Sequence, residues 1–164
     1  MKTLLLLRHA KSSWKRPELP DHDRPLNKRG KRDAPRIAKI IRDNGLVPDL
    51  ILSSTAKRAR KTAEIVAKTC GYARNVDLTP ALYHAAPRTY IGTLSNLADD
   101  YQRIMVVGHN PGLEELLEIL VGRMELIPTA TLALVLLPLA QWRELNYETT
   151  GKLINVWRPR EIAR

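Results

Sequence analysis

The feature that most constrains this chain is a run of leucines, Leu4–Leu7, that ends at once in Arg8 and His9. An apolar run of this length is typical of a buried strand and is far too short to cross a bilayer. A buried strand that ends in this way carries a cation and an imidazole to its carboxyl end. Because open α/β sheets bind their ligands at that edge, the sequence predicts a site built around Arg8 and His9.

Strand patterns and helix patterns alternate along most of the chain. Short apolar runs predict strands at residues 3–7, 49–53, 76–78, 103–108, 131–137 and 152–157. Periodicity and capping signals predict helices after Asn27 and at about 56–70, 88–98 and 112–121. This alternation predicts the α/β class, as a three-layer sandwich with a mainly parallel sheet and helices on both faces. The polar stretch before residue 152 predicts that the last two strands form an antiparallel C-terminal pair.

The helix after Asn27 contains a proline, Pro35, and ends at Asn44 and Gly45. A proline inside a helix removes a backbone hydrogen bond and crowds the preceding turn. Pro35 therefore lies either in the first turn of a helix that starts near Asp33 or at a kink in a longer helix.

The composition indicates one globular domain, over residues 1–164, with a strongly basic balance. Of the 164 residues, 44% are hydrophobic, which is enough to form a sizeable core. The formal net charge is +10, which attracts anions. Nucleic acid is not the favoured partner, because aromatic residues are not interleaved with the basic ones and no known binding module is visible. A basic surface that is merely solvated is the alternative.

The single cysteine, Cys70, excludes an intrachain disulfide and leaves no cysteine pair for a zinc site. We expect it to be a buried, small apolar side chain near a helix end. The apolar run at the N-terminus stops at Arg8, which is too early for a secretory signal, and no membrane span is visible. The expected compartment is the cytoplasm.

Three predicted strand-to-helix junctions carry side chains suited to phosphate. In chain order they hold Arg8 and His9, then Arg58 at the start of a helix, then His109 with Asn110. If the strands are parallel, all three junctions lie at one edge of the sheet. Guanidinium groups bind phosphate oxygens bidentately, and helix N-termini add free backbone N–H groups. Together the junctions predict a phosphate-binding site.

Each of these residues also has a structural interpretation. A single histidine at a strand end is more often structural than catalytic, and His109 could simply cap a helix. Arg58 and Arg60 are two residues apart and lie on different helix faces, so one of them could be a surface residue. Arg58 is nearer the helix start and is the better candidate. Three further residues either contact phosphate or only shape the turns: Lys11, Ser12 and Asn110.

A polar, proline-rich loop is predicted over residues 11–26. Loops of this length in a compact domain are usually functional or mobile. Because this one leaves directly from Arg8 and His9, we expect it to form one wall of the site. Within it, His22 lies between Asp21 and Asp23, and we expect His22 to be solvated.

Three blocks of the sequence resemble, in order and spacing, the signatures of the histidine phosphatase superfamily, which includes the phosphoglycerate mutases. Residues 8–10 resemble its Arg-His-Gly signature, with alanine in the third place. Residues 53–63 resemble its Ser-Ser-Pro-x-x-Arg-Ala-x-Gln-Thr-Ala block, and residues 107–112 resemble its second-histidine block. The small size of the chain and the residues at 8–12 and 108–112 are similar to the SixA-type phosphohistidine phosphatases.

The resemblance implies that His9 is the phosphorylated nucleophile and that Arg8, Arg58 and His109 bind the phosphoryl oxygens. No metal ion or other cofactor is required for such a reaction, and no acidic metal cluster is visible in the sequence. The sequence departs from the superfamily pattern at small or helix-side positions, namely Ala10, Thr55 and Lys61.

Many members of the superfamily carry a Glu or Asp general acid in the loop after the third strand. Here that loop, residues 79–87, contains no carboxylate. His84 could donate the proton, as could Asp21 or Asp23 from the long loop, or there is no dedicated acid. An alkyl phosphate benefits strongly from a general acid, whereas phosphohistidine needs less help once its ring is protonated. The missing carboxylate therefore favours a phosphorylated protein, carrying phosphohistidine, as the substrate.

Two other functions remain open at this point. The first is a broad small-molecule phosphomonoesterase on the same fold, which would act on a small phosphate ester. The second is a non-catalytic anion- or RNA-binding module that keeps the pocket. A mutase fits less well, because 164 residues leave little room for the insertions that enclose a sugar or glycerate phosphate.

Overall fold

The computed structural model describes residues 1–162 and contains one sheet with helices on both faces. The strands are β1 (Lys2–Arg8), β2 (Leu50–Ser54), β3 (Asp77–Thr79), β4 (Arg103–Gly108), β5 (Leu132–Leu137) and β6 (Lys152–Trp157). The helices are α1 (Lys28–Asp43), α2 (Lys57–Cys70), α3 (Pro87–Ser95) and α4 (Gly112–Val121). No helix in the described part of the chain is long and apolar enough to span a membrane.

The strand order in the sheet is β3-β2-β4-β1-β5-β6. The first four strands run parallel, β5 is antiparallel to β1, and β6 is antiparallel to β5. This confirms the predicted mainly parallel sheet with an antiparallel C-terminal pair. In the register, Leu7 of β1 lies beside Val107 of β4 and Leu132 of β5. We call the edge at which β1, β2 and β4 end the carboxyl edge.

The leucine run of β1 is apolar at every position because both faces of the strand are covered. Side chains alternate between the faces of a sheet, so successive leucines pack on opposite sides. Leu4 and Leu6 pack with α3 and α4, whereas Leu5 and Leu7 pack with α1 and α2. All four leucines are fully buried. The predicted three-layer sandwich is confirmed.

The boundaries of some elements differ from the prediction. Helix α1 is the longer of the two predicted alternatives and contains Pro35. Its N-cap is Asn27, whose side chain accepts a hydrogen bond from the Gly30 N–H. Helix α3 ends at Ser95 rather than residue 98, and Asn96 follows as its C-cap. Cys70 is buried at the end of α2, as expected.

The first turn of α1 lies directly against the segment that follows β1. The Lys11 carbonyl accepts a hydrogen bond from the Asn27 N–H at 3.0 Å. A Cβ added to Gly30 would lie 2.2 Å from the same carbonyl oxygen, which is backbone and has little room to move. Glycine at position 30 therefore lets α1 approach the site-forming segment closely.

We expect Gly30→Ala to lower the free energy of unfolding by about 1–3 kcal/mol, because the new methyl group overlaps the Lys11 backbone. The matched control is Gly92→Ala, inside α3, where an added Cβ meets nothing within 4 Å. That change is expected to be neutral or stabilising by about 0.5–1 kcal/mol, since alanine favours a helix over glycine. Urea unfolding of both variants measures the difference. Equal stability of the two would show that the contact at Gly30 does not constrain the fold.

Candidate active site

One cavity of about 290 Å³ at the carboxyl edge collects all the site residues that the sequence predicted. They are Arg8, His9, Lys11, Ser12, Arg58, His84, His109 and Asn110. The cavity is also lined by Asp21, which the sequence offered as a possible proton donor, and by three residues that were not predicted to contact a ligand: Trp14, Arg24 and Thr129. The long loop contributes several of these residues and forms a wall of the cavity, as expected.

His9 is held at the end of β1 in a defined tautomer. Its backbone N–H donates to the Gly108 carbonyl on the neighbouring strand at 3.2 Å. Its Nδ1 lies 2.8 Å from the Ala10 carbonyl oxygen. Because a carbonyl can only accept, Nδ1 carries the proton in the neutral ring and Nε2 keeps a free lone pair.

The His9 ring stays neutral at physiological pH. Burial, followed by the nearby charges of Arg58 and Arg8, lowers its pKa to about 3, and the hydrogen bond to Ala10 offsets only part of this. His9 is only 6% exposed to solvent. A neutral imidazole with a free Nε2 at the base of a cationic cavity is suited to nucleophilic attack.

The second junction presents Arg58 from the first turn of α2. Its side chain is almost completely buried, whereas that of Arg60 is partly exposed and pairs with Glu64. The burial of Arg58 therefore supports the prediction that Arg58, rather than Arg60, belongs to the site. Thr62, one turn later, ties α2 to the first junction, since its Oγ1 accepts from the Ala10 N–H at 3.0 Å and donates to the Arg58 carbonyl at 2.7 Å.

Arg8 and Arg58 keep donors without a protein partner. The Arg8 Nη1 donates to the Ile127 carbonyl at 3.2 Å. The Nε atoms of both arginines are buried and make no hydrogen bond among residues 1–162. Buried polar groups are normally paired, so these donors are available to an anion in the cavity.

His109 lies beside His9 at the third junction, with ring centroids 5.1 Å apart. Its Nε2 lies 2.8 Å from the Ser54 Oγ, at the end of β2. Burial is the main cause that lowers its pKa to about 3, so this ring is also neutral. The Ser54 hydroxyl additionally accepts from the Ala56 N–H at 3.2 Å. This contact of Ser54 with His109 was not predicted from the sequence.

The contacts of Asp21 are the main feature that the sequence did not reveal. Its carboxylate accepts from the Tyr83 hydroxyl at 2.5 Å, from Arg58 Nη2 at 3.0 Å and from Arg24 Nε at 3.1 Å. Its backbone carbonyl also accepts from Arg58 Nη1 at 2.7 Å. His22, which was expected to be solvated, keeps 41% of its side chain exposed, and its Nε2 also lies 2.9 Å from the Thr55 Oγ1. The short 3-10 turn at Asp21–Asp23 packs on α2, which places Asp21 beside Arg58.

Asp21 is ionised, so the cavity does contain a carboxylate, although it comes from a different loop than the one expected. Partial burial opposes ionisation, but hydrogen bonds from Tyr83 and Arg58 outweigh it and hold the pKa of Asp21 well below its usual range. An acid with such a low pKa holds no proton to donate at neutral pH. Asp23 does not line the cavity, and its side chain is largely exposed.

Arg24 adds another cation to the cavity wall. It is 8% exposed, it donates to the Ser12 Oγ at 2.9 Å, and its guanidinium carbon lies 3.6 Å from the ring centroid of Trp14. Ser12 therefore contacts Arg24 and helps to shape the wall. The cationic side chains that line the cavity exceed the single carboxylate of Asp21: they are Arg8, Lys11, Arg24 and Arg58. This excess makes the cavity an anion site.

His84 reaches the cavity mouth from the loop after β3. Its backbone φ of 53° lies in the left-handed region, which is uncommon for a residue other than glycine and costs conformational energy. Its Nε2 lies 3.5 Å from the Asp21 carboxylate, and its ring packs 4.0 Å from that of Tyr83, centroid to centroid. His84 therefore lies at the cavity mouth, beside Asp21 and Tyr83. Among residues 1–162, no group of three or more His, Cys, Asp or Glu side chains is placed to hold a metal ion.

Comparison with known proteins places the chain in a family. Residues 4–92 match the model of the histidine phosphatase superfamily (branch 1). An uncharacterized chloroplast protein of Arabidopsis thaliana is 40% identical over 141 residues, covering 80% of this chain and 65% of that protein. An uncharacterized protein of Mycobacterium tuberculosis is 41% identical over 106 residues, covering 64% and 63%. The chain thus spans less than two thirds of the length of these curated relatives.

Solved structures of SixA proteins share the fold over nearly the whole chain. A candidate phosphohistidine phosphatase SixA from Agrobacterium tumefaciens is 32% identical, with a TM-score of 0.79, and the match covers 96% of this chain and 98% of that one. The protein histidine phosphatase SixA complexed with tungstate has a TM-score of 0.83 at 19% identity, covering 96% and 97%. The chain belongs to the histidine phosphatase superfamily, branch 1, and its fold is SixA-like.

The neutral histidines predict a specific pH dependence of stability. A histidine takes up a proton near pH 6.5 when unfolded, whereas His9 and His109 do so only near pH 3 when folded. Between these values the unfolded state binds more protons, so the free energy of unfolding falls as the pH is lowered, by up to about 1.4 kcal/mol per pH unit for each histidine. Urea unfolding between about pH 6.5 and 4.5 measures this slope while Asp21 remains largely ionised in both states.

The control is the double variant H9Q/H109Q, which lacks both titrating rings and is expected to show a shallower slope over the same range. An identical slope in wild type and double variant would contradict the conclusion that the two buried rings stay neutral.

Proposed function

We propose that the chain is a phosphohistidine phosphatase, which hydrolyses phosphohistidine in a protein through a phosphorylated His9 intermediate. The observation that carries this proposal is the geometry of His9, whose Nδ1 is tied to the Ala10 carbonyl and whose free Nε2 belongs to a cationic cavity. The membership of the superfamily and the 32% identity to a SixA homologue support the same chemistry.

The first step is in-line attack of His9 Nε2 on phosphorus. The new N–P bond forms as the bond from phosphorus to the substrate ring breaks, and the ring, protonated on its other nitrogen, leaves as a neutral imidazole with the electron pair of the broken bond. Charge on the equatorial phosphoryl oxygens is stabilised by the guanidinium groups of Arg8 and Arg58. In the second step a water attacks phosphorus, phosphate forms, and His9 is released.

Asp21 orients Arg58 without using up its donors. A guanidinium has five N–H groups. Asp21 accepts one from Nη1 and one from Nη2, which leaves three, including the buried Nε. The phosphoryl group can therefore bind Arg58 while Asp21 holds the guanidinium in place.

His109 acts as a neutral donor to the phosphoryl oxygens. Its Nε2 faces the Ser54 hydroxyl, which already accepts a hydrogen bond from the Ala56 N–H. The Ser54 hydroxyl can therefore donate its own proton to Nε2. The ring proton of His109 is then on Nδ1, which is buried and has no partner among the described residues. A donor without a partner beside His9 is available to an oxygen that gains charge in the transition state.

The leaving group explains why the cavity needs no protonated carboxylate. A phosphohistidine ring that is protonated leaves as a neutral imidazole, whereas an alkyl phosphate leaves as a strongly basic alkoxide. His84, at the cavity mouth, is the proposed proton donor for the ring when it is not already protonated. The Asp21 carboxylate lies 3.5 Å from His84 Nε2 and keeps this ring at the cavity mouth.

We expect His9→Ala to reduce turnover of a phosphohistidine peptide to the level without enzyme, because no other neutral imidazole occupies the end of β1. The measurement compares phosphohistidine peptide and p-nitrophenyl phosphate as substrates of the wild type and the variant. The matched control is Arg60→Ala, which removes the partly exposed arginine of α2 and is expected to retain activity.

The two substrates separate the proposed function from its alternatives. Turnover of the aryl phosphate without turnover of the peptide would identify a small-molecule phosphomonoesterase instead. If neither substrate is hydrolysed by folded protein, the chain is a binding module, and its affinity for anions should then depend steeply on salt and change little in His9→Ala.

His84→Gln tests the proposed proton donor. With p-nitrophenyl phosphate, whose leaving group needs no proton, we expect kcat to change by less than about twofold. With the phosphohistidine peptide, whose leaving ring does need a proton, kcat should fall by about 10²-fold. His22→Gln, which removes another histidine near Tyr83, is the control and should not show this substrate-dependent loss. Equal losses on both substrates would indicate that His84 supports the cavity structurally and donates no proton.

A further inference from the structure

A second basic surface lies outside the active-site cavity. A hollow of about 290 Å³ lies between α1 and the C-terminal segment, and four arginines line it together with Asp33, Pro159 and Ile162. The four are Arg29, Arg32, Arg36 and Arg160. We call these four arginines, together with Arg158 of the adjacent hollow, the basic rim.

An adjacent hollow of about 380 Å³ is mainly apolar. Its lining includes Leu126, Pro128 and Pro159, with Arg158 and Glu161 at its side. The two hollows share Arg29, Pro159 and Arg160, so they form one continuous surface. A surface with an apolar floor and several cations fits a peptide segment better than a lone inorganic ion.

The basic rim carries more positive charge than its own carboxylates neutralise. Asp33 is 1% exposed and is approached by Arg29 and Arg32 at 3.5 Å and by Arg36 at 3.3 Å. Glu161 is the other carboxylate that lines the two hollows. Arg158 pairs with it at 3.5 Å and with Glu125, which lies outside the two hollows, at 3.0 Å. Five arginines therefore face three carboxylates. Like charges held this close repel each other, and carboxylates from another molecule would relieve that repulsion.

The sheet register places the basic rim at the carboxyl edge, beside the active site. Leu7 pairs with Leu132, and Leu132 pairs with Trp157, so the segment after β6 emerges next to the end of β1. Helix α1 begins at the same edge, where Gly30 packs against the Lys11 backbone.

A short loop, residues 126–129, separates the two sites. Leu126 and Pro128 line the apolar hollow, whereas Thr129 lines the active-site cavity. Between them, the Ile127 carbonyl accepts from Arg8 Nη1 at 3.2 Å and from Asn110 Nδ2 at 2.8 Å. A substrate peptide that leaves the cavity across this loop would reach the basic rim within a few of its residues.

We propose that the basic rim docks an acidic segment that flanks the phosphohistidine of the protein substrate. The proposal rests on the proposed function, since it requires a phosphorylated protein in the cavity. Carboxylates of that segment pair with Arg32 and Arg160, which are the most exposed arginines of the first hollow, and apolar side chains of the segment cover Leu126 and Pro128. Rim charges of this kind raise the rate of encounter and select among partners.

The test uses two phosphohistidine peptides that differ only in having several glutamates or several glutamines beside the phosphohistidine. The variant is R32Q/R160Q, which leaves every residue of the active-site cavity in place. The matched control is K39Q/K68Q, which removes the same charge from exposed positions on the outer helices. p-Nitrophenyl phosphate reports the chemistry without a docking segment.

We expect R32Q/R160Q to lose about tenfold in kcat/KM on the glutamate peptide, through KM, and less than about twofold on the glutamine peptide and the aryl phosphate. K39Q/K68Q should show neither loss. The preference of the wild type for the glutamate peptide should shrink in about 0.5 M sodium chloride, where such exposed charges are screened.

Binding of the same peptides without the phosphoryl group, measured by fluorescence anisotropy, tests docking independently of turnover. If the wild type binds the glutamate peptide more tightly and R32Q/R160Q loses this preference, the docking proposal is supported. This holds even if the wild type hydrolyses neither phosphopeptide, and in that case only the proposed function fails. Equal binding of both peptides, or an equal loss in K39Q/K68Q, overturns the docking proposal and leaves the phosphatase proposal standing.

Discussion

The hydrogen bond from His9 Nδ1 to the Ala10 carbonyl is the contact on which the rest of the site depends. It fixes which ring nitrogen is free, and it does so with a backbone group that is itself immobilised. The Ala10 N–H donates to Thr62, and the Thr62 hydroxyl donates to the Arg58 carbonyl. One short chain of hydrogen bonds therefore positions both His9, the proposed nucleophile, and Arg58. The close approach of Gly30 to Lys11 supports the same segment from the other side.

The site combines two requirements that oppose each other. Binding a phosphoryl dianion calls for several cations, yet those cations are buried beside a histidine and beside one another. The neutral state of His9 is the consequence, and it is also what attack on phosphorus requires. Asp21 relieves the remaining repulsion, because its carboxylate pairs with both Arg58 and Arg24. The electrostatic cost of the cavity is thus reduced by a residue that also orients Arg58.

The sequence predicted the parts of this site that follow from periodicity and topology. An apolar run that stops at Arg8 and His9 marks a strand end, and parallel strands bring such ends to one edge, so His9, Arg58 and His109 could be placed together in advance. The role of Asp21 could not be predicted in this way. Its loop has no periodicity, and its partners Arg58 and Tyr83 are 37 and 62 positions away in the chain. Asp21 and Arg24 are three residues apart, and this spacing is the one local indication that they could form an ion pair. It does not indicate that the pair faces the cavity.

The ionised state of Asp21 bears directly on which leaving group the cavity favours. A fixed negative charge near the cavity mouth repels an alkoxide as it forms, because both charges are then close together in a partly dehydrated space. The same charge attracts a ring that is protonated on its way out, as the ring of phosphohistidine is. A carboxyl group that donates a proton must itself be protonated, whereas hydrogen bonds from Tyr83 and Arg58 keep Asp21 ionised. The ionised state of Asp21 therefore supports the proposal that the substrate carries a phosphorus–nitrogen bond rather than a phosphate ester of an alcohol.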